Sequence, residues 1–205
     1  MNNLKAQFLL DPDIIFLNHG SFGATPRPVF EAYQEWQRRL EWQPVEFLVN
    51  ELPGLLVDAR QALGNYIHCG RDDVVYVPNA TFAVNVVARS LDLGPGDEVL
   101  TTNHEYGACN NVWSFLSRKR GFSYRYRQIN FPAESDETVV DQFVQGITPQ
   151  TKVIFLSHLT SATALKLPVT EICQLAAERG IITVIDGAHA PGQIPLNLEE
   201  IGADF

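Results

Sequence analysis

The sequence predicts an α/β protein: a three-layer arrangement in which a mostly parallel sheet is flanked by helices, preceded by an N-terminal arm. Short apolar runs alternate with segments of helical periodicity across brief turns, and that rhythm builds parallel sheets. Two of the runs, Lys152–Ser157 and Ile181–Asp186, are almost continuously apolar or β-branched. Strands covered on both faces read this way. Residues 1–50 break the rhythm and are expected to form an arm and helix, either part of a smaller domain or a dimer contact, with residues 51–205 as the main domain.

The elements follow in order. Phe16 to Pro28 is rich in Gly, Ser, Thr and Pro and reads as loop. Pro28 to Gln43 and Leu55 to Ile67 carry helical periodicity. Asp73 to Pro78 reads as a short strand, and Ala80 to Leu91 as a helix with Phe82, Val86, Val87 and Leu91 in one stripe. After the turn at Gly94-Pro95-Gly96-Asp97 come a strand (Glu98–Thr102), a helix (Gly107–Arg118), an alternating strand (Phe122–Ile129) and a helix (Val139–Gly146). The strand Lys152–Ser157 is followed by a helix from Pro168 to Arg179. Pro168 suits a first turn and Gly180 a stop, and the Asp186 strand comes next.

Composition narrows the function classes. The formal net charge is −9, which disfavours nonspecific attraction to nucleic acid or to an anionic membrane. The local basic clusters, Arg118-Lys119-Arg120 and Arg125 to Arg127, read as a solvated helix end and an exposed strand. Three cysteines, Cys69, Cys109 and Cys173, lack C-x-x-C spacing. They read as reduced thiols of a cytoplasmic protein and not as a zinc site or disulfide framework, so no metal is expected. The chain start has no signal-peptide pattern, and no stretch is long and apolar enough to span a membrane.

The strand ends carry the chemistry. In open α/β sheets ligands bind outside the carboxyl ends of strands. Asp186 ends an apolar strand, where a charge is costly unless a cation meets it. It either faces a positively charged group or caps the next turn. Pro78-Asn79-Ala80-Thr81 opens directly into a helix, and free N–H groups there suit a phosphate. Asn79 is equally suited to be the N-cap. Tyr106 and His104 are candidates to lie against a planar ring. Ser157-His158-Leu159-Thr160-Ser161-Ala162-Thr163 clusters hydroxyls, and His189 follows Asp186. Neither G-x-G-x-x-G nor a P-loop occurs, which argues against a nucleotide-binding domain.

In this order the motifs resemble the large domain of fold-type-I pyridoxal-phosphate enzymes of the class-V aminotransferase group, which includes cysteine desulfurases and isopenicillin N epimerase-like proteins. Asn79-Ala80-Thr81 looks like the phosphate-binding turn. Tyr106, in Glu105-Tyr106-Gly107-Ala108, matches the ring-stacking position. Ser161 falls where a hydroxyl or amide approaches the phenolic oxygen. Asp186, in Asp186-Gly187-Ala188-His189, matches the partner of the pyridine nitrogen, with His189 beside it. The segment Phe16 to Gly23 looks like the epimerase-like branch, which makes His19 and Ser21 substrate-binding candidates.

The resemblance implies pyridoxal 5'-phosphate as cofactor, an amino-acid substrate, a homodimer (with Trp36 and Trp42 as contact candidates), and Asp186 and His189 in catalytic roles. Residues 51–205 would be the cofactor-binding domain. It also implies a lysine for the internal Schiff base a few residues beyond a Gly-Ala-Asp-Phe segment, here Gly202–Phe205. The lysines present are Lys5, Lys119, Lys152 and Lys166, and Lys166 is the least unsuitable substitute. The expectation is therefore an N-terminal piece of a longer enzyme, itself inactive. Epimerase or aminotransferase chemistry comes first. Cysteine desulfurase or C–S lyase chemistry is the alternative, and a noncatalytic cofactor-binding or interaction module is the alternative of another class.

Overall fold

The structure is a computed structural model and describes residues 4–205. It divides into two compact units, Met1–Ala62 and Leu63–Phe205.

The N-terminal unit is helical. A short helix α1 (His19–Phe22) interrupts the segment expected to be loop, and α2 (Arg27–Trp42) and α3 (Leu52–Ile67) follow, with a π-helical turn at Glu46–Glu51 leading into α3. The bridge Phe8↔Pro26 closes the arm, and the His19 ring lies against Phe8 and Phe16 at 5.3 and 4.7 Å. Trp36 packs on Phe47 at 6.2 Å and under the Arg39 guanidinium, which pairs with Glu51 at 2.8 Å. Trp42, by contrast, is 90% exposed.

The second unit holds four parallel strands in the order β2-β1-β3-β4: β1 (Glu98–Thr102), β2 (Ser123–Arg127), β3 (Thr151–Ser157) and β4 (Ile182–Asp186). Helices α4 (Ala80–Ser90), α5 (Gly107–Arg120), α6 (Asp136–Val144), α7 (Val169–Ala177) and α8 (Leu198–Ile201) cover it. Side chains alternate across the pleat. Val99, Val153, Phe155 and Val184 pack with Val84, Cys109 and Trp113 of α4 and α5. Leu100, Ile154 and Leu156 pack with Phe143, Ile172 and Ile201 of α6, α7 and α8. Two cores, one per face, account for the continuous apolar runs.

Local sequence sets the helix limits. Asn79, Ser135 and Asn197 cap α4, α6 and α8 by accepting from Phe82 N, Thr138 N and Glu200 N. The Ser135 cap starts α6 three residues earlier than its apolar pattern does. Gly121 ends α5 at φ +87, where a Cβ would also meet Pro95 at 3.2 Å. Arg118 and Lys119 are exposed, as a solvated helix end should be, but other members of the basic clusters are structural. Arg120 donates to the carbonyls of Arg89 and Leu91 (2.8 and 2.7 Å), and Arg127 donates to Gln142 O and Gln145 Oε1 (2.6 and 2.9 Å).

The strand expected over Asp73–Pro78 does not form. Arg71–Asp73 is a 3₁₀ turn, and the residues after it are extended but unpaired, with Val75, Tyr76 and Val77 at 75, 54 and 39% exposure. A strand needs a partner, and none of the four strands lies beside this segment. The outer side of β4 is taken by Phe205, whose O accepts from Ile185 N (2.8 Å) and whose N donates to Thr183 O (3.1 Å). Among the described residues no helix is long and apolar enough to cross a membrane.

At the amino end of the sheet, Glu98 is buried and accepts from Arg125 Nε (2.6 Å), Arg125 Nη2 (3.0 Å) and Thr151 Oγ1 (2.6 Å). Burial pushes its carboxyl up, but these donors outweigh burial and hold it below the usual 4.5. Its contribution to stability is therefore full above that value and is lost as pH falls through the lower folded value. Glu98→Ala should lower unfolding free energy by about 1–3 kcal/mol at pH 7, read from the urea midpoint. The gap to the wild type should close progressively below pH 4.5.

Candidate cofactor and active site

Along the chain, β1 is followed by β2 on one side and then by β3 on the other. The order reverses between β1 and β3, and the crevice at their carboxyl ends is where an open α/β sheet binds ligands. The residues singled out from the strand ends at Thr102, Ser157 and Asp186 lie at or just beyond this edge.

Asp186 is the last residue of β4, paired with Ser157 of β3 and 8% exposed. Its Oδ1 accepts from Ala188 N at 3.0 Å and its Oδ2 from the Cys109 thiol at 3.5 Å. The turn-capping role is thus present, yet an ionised carboxylate has about four acceptor positions, so capacity remains. Among the described residues no Lys, Arg or His forms an ion pair with it. His158, whose N donates to Asp186 O at 2.9 Å, does not fill that role. Burial and Lys166 push its imidazole below the usual 6.5, so it is neutral at pH 7.

Sequence reasoning missed Glu105. It is 8% exposed, with Oε1 2.5 Å from Thr102 Oγ1 and Oε2 2.6 and 2.5 Å from Ser157 N and Oγ. One carboxyl therefore ties the ends of β1 and β3 together. Burial raises its pKa, the Ser157 and Thr102 bonds oppose this, and Asp186 adds a further upward push. The signal in the sequence was a carboxylate just before the ring candidate Tyr106.

The first turn of α4 offers the anion site. Asn79 is extended at φ −169, and its Oδ1 accepts from Phe82 N at 2.9 Å, so its carbonyl oxygen serves the cap. The amides of Ala80 and Thr81 precede the helical ladder and point out of its end. Thr81 opposes the upward push on the Cys109 thiol, and that thiol donates to Asp186 Oδ2.

Tyr106 is the N-cap residue of α5 and 47% exposed, open to a ring. His104 is not: its Nε2 bonds Ile129 O at 2.9 Å and its ring packs on Phe131. Ser161 is exposed in the tight Thr160–Leu165 turn, while the buried hydroxyls of that segment, Ser157 and Thr160, are committed to Glu105 and to Thr163 and Leu165. His189 is half-buried two residues past the Gly187 turn. His19 and Ser21 belong to the N-terminal unit, where both are exposed and His19 Nδ1 accepts from Ala24 N at 3.4 Å. Lys152 is at the amino end of β3, Lys119 in the last turn of α5, and Lys166 in a polar cleft with Asp136 and Glu171. Among the described residues no group of three or more His, Cys, Asp or Glu is placed to hold a metal.

Residues 15–205 match the family described as aminotransferase class-V. The isopenicillin N epimerase of Streptomyces clavuligerus is 38% identical over 202 residues, covering 98% of this chain and 50% of that protein. A probable chloroplastic L-cysteine desulfhydrase of Arabidopsis thaliana is 29% identical over 211 residues, covering 95 and 44%. Among solved structures, a C-DES mutant with glycine covalently linked to the PLP cofactor superposes with a TM-score of 0.86 at 23% identity, over 98% of this chain and 53% of that one. The chain spans about half the length of the curated relatives it matches.

The thiols supply a check on this packing. Burial, then Asp186, push Cys109 up to about 12, and burial pushes Cys173 up to about 11. At pH 8 iodoacetamide should therefore label the half-buried Cys69 in the native protein and spare Cys109 and Cys173. All three should label in urea, as read by peptide mass spectrometry. Rapid native labelling of Cys109 would contradict its place beneath Asp186.

Proposed function

This chain belongs to the class-V aminotransferase family, and from that premise we propose that it carries the pyridoxal 5'-phosphate site of an enzyme acting on an amino-acid substrate, of the epimerase or aminotransferase type. The observation that carries the reading is the buried carboxylate of Asp186, without an ion pair among the described residues, at the end of β4, against which α4 packs. One ligand with a protonatable ring nitrogen at one end and a phosphate at the other answers both that carboxylate and the open amino end of α4.

The residues divide the work. The amides of Ala80 and Thr81 with the Thr81 hydroxyl take the phosphate, and the Asn79 cap keeps that helix end in register. Tyr106 covers a ring face. Asp186, held by Ala188 N and Cys109, keeps the proton on the ring nitrogen. Ser161 and His189 approach the ring edge, and His19 and Ser21 contact substrate. When bound, the cofactor supplies an electron sink for bond cleavage at the substrate's α-carbon. A low-dielectric, buried carboxylate is worth far more to that charge than a solvated one.

Epimerase chemistry is supported by the Phe16–Gly23 segment and the 38% identity to an isopenicillin N epimerase. Carbon–sulfur lyase or desulfurase chemistry is the second reading, supported by the cysteine desulfhydrase relatives. Lys119, Lys152 and Lys166 form no ion pair with Asp186, and Lys5 donates to the carbonyls of Pro12 and Ile14, so we place the lysine that anchors the cofactor outside residues 1–205 and expect no turnover from these residues alone. A noncatalytic cofactor-binding role remains the contrasting outcome for them. The reading includes a homodimer, with the exposed Trp42 as a contact.

Absorbance titration with pyridoxal 5'-phosphate tests this. The wild type should saturate, Asp186→Ala should weaken binding at least tenfold (about 1.4 kcal/mol or more), and Lys166→Ala should leave it unchanged. After borohydride, mass spectrometry should find no single lysine fully labelled. Unsaturable binding, or an Asp186→Ala protein that binds as the wild type does, would refute the site. A stoichiometric label on one of these lysines would refute the placement of the anchor.

A further inference from the structure

Tyr106, the residue proposed to cover a ring face, sits where the chain leaves the end of β1 and enters α5. A half-exposed side chain on a connecting segment keeps one pose only when its backbone is held. One residue of the next turn does this. Asn110 N donates to Tyr106 O at 3.0 Å as the helix begins, and Asn110 Nδ2 donates to Glu105 O at 3.3 Å. A single residue thus grips the carbonyls of Glu105 and Tyr106, which lie in the two peptide planes flanking the Tyr106 Cα.

The Asn110 amide is itself oriented. A carbonyl oxygen only accepts, so the atom facing Glu105 O is the NH2 group, and Oδ1 accepts from the Tyr124 hydroxyl at 2.5 Å. Tyr124 belongs to β2, where its ring stacks on Trp113 at 6.3 Å and meets Tyr126 edge-on at 5.0 Å. Trp113 is fully buried on α5, one turn beyond Asn110. From the other direction the Glu105 carboxyl accepts from Thr102 Oγ1 (2.5 Å) on β1 and from Ser157 N and Oγ (2.6 and 2.5 Å) on β3. Three strands therefore converge on the peptide that carries Tyr106, β1 and β3 through Glu105 and β2 through Asn110.

Resting on the cofactor reading above, we infer that Asn110 is a positioning residue: its amide, aimed by Tyr124, locks the Glu105–Tyr106 peptide so that the Tyr106 ring meets the cofactor in one pose. Without that grip the ring samples many poses, and ordering it on binding consumes the gain from stacking. The stacking itself sets the upper limit, because a badly placed ring loses no more than a missing one.

A double-mutant cycle on pyridoxal 5'-phosphate affinity tests this. Tyr106→Ala should weaken binding about threefold to tenfold, the range of one ring contact, and Asn110→Ala about threefold or more within that limit. Alanine is the better helix former, so α5 persists in the variant. Adding Asn110→Ala to Tyr106→Ala should change nothing further, because no ring is left to place. Tyr124→Phe removes only the hydroxyl and should weaken binding in the same direction by less. Wild-type affinity in Asn110→Ala overturns the inference. So does an equal loss in both backgrounds, which is what a merely structural residue gives. The second readout needs no ligand. The ¹⁵N order parameter of the Tyr106 amide should be near the rigid value of about 0.85 in the wild type and fall toward about 0.6 in Asn110→Ala. Should the wild type bind no pyridoxal 5'-phosphate, the cofactor reading fails while the order parameter still reports whether Asn110 holds Tyr106, and an unchanged value there overturns the inference.

Discussion

A parallel sheet buried on both faces leaves its strands nowhere to put a charge except at their ends. In this protein Val99, Val153, Phe155 and Val184 fill one core and Leu100, Ile154 and Leu156 the other. Polar side chains on β1, β3 and β4 are correspondingly pushed to the sheet's two edges, where the helices no longer cover them. The placement of Thr102, Ser157 and Asp186 in one row follows from that packing, and so does the low dielectric that makes each of them energetically costly unless partnered.

The two edges resolve this cost differently. At the amino edge Glu98 is met by Arg125, Thr148 and Thr151, and the charge is neutralised from within the chain. At the carboxyl edge Asp186 and Glu105 are met by hydroxyls, amides and a thiol, with no cation. A fold stabilised only for its own sake has no use for such an asymmetry. Together with the open helix end at Ala80 and Thr81, that asymmetry is what supports the proposed site, for a ligand that brings its own positive and negative groups.

Much of this was legible in the residues. Asp186 at the end of an apolar run and Asn79 before a helical stripe carry local signals, one of cost and one of capping chemistry, and both sit where those signals place them. What was not legible depended on long-range partners. Asp73 to Pro78 carries the β-branched and aromatic run of a short strand, yet pairing is not a local property, and this segment lies beside no strand. Ser161 stands out in its hydroxyl cluster, but the hydroxyl that reaches the strand edge is Ser157, because the pleat turns that residue toward Glu105. Glu105 carried no signal of its own beyond its place before Tyr106, since nothing in a sequence announces that a side chain spans from one strand end to another. In the basic clusters Arg118 and Lys119 are solvated as expected, whereas Arg120, Arg125 and Arg127 tie down carbonyls and Glu98.

The most direct test of the site is an amide chemical-shift map of the protein on addition of pyridoxal 5'-phosphate. The account predicts the largest changes at Ala80 and Thr81, whose amides face the phosphate, and at Tyr106 and Asp186 to His189 around the ring, with the amino edge near Glu98 and Arg125 unmoved. Changes concentrated at the amino edge or around the exposed lysines, with Ala80, Thr81 and Ala188 silent, would contradict it.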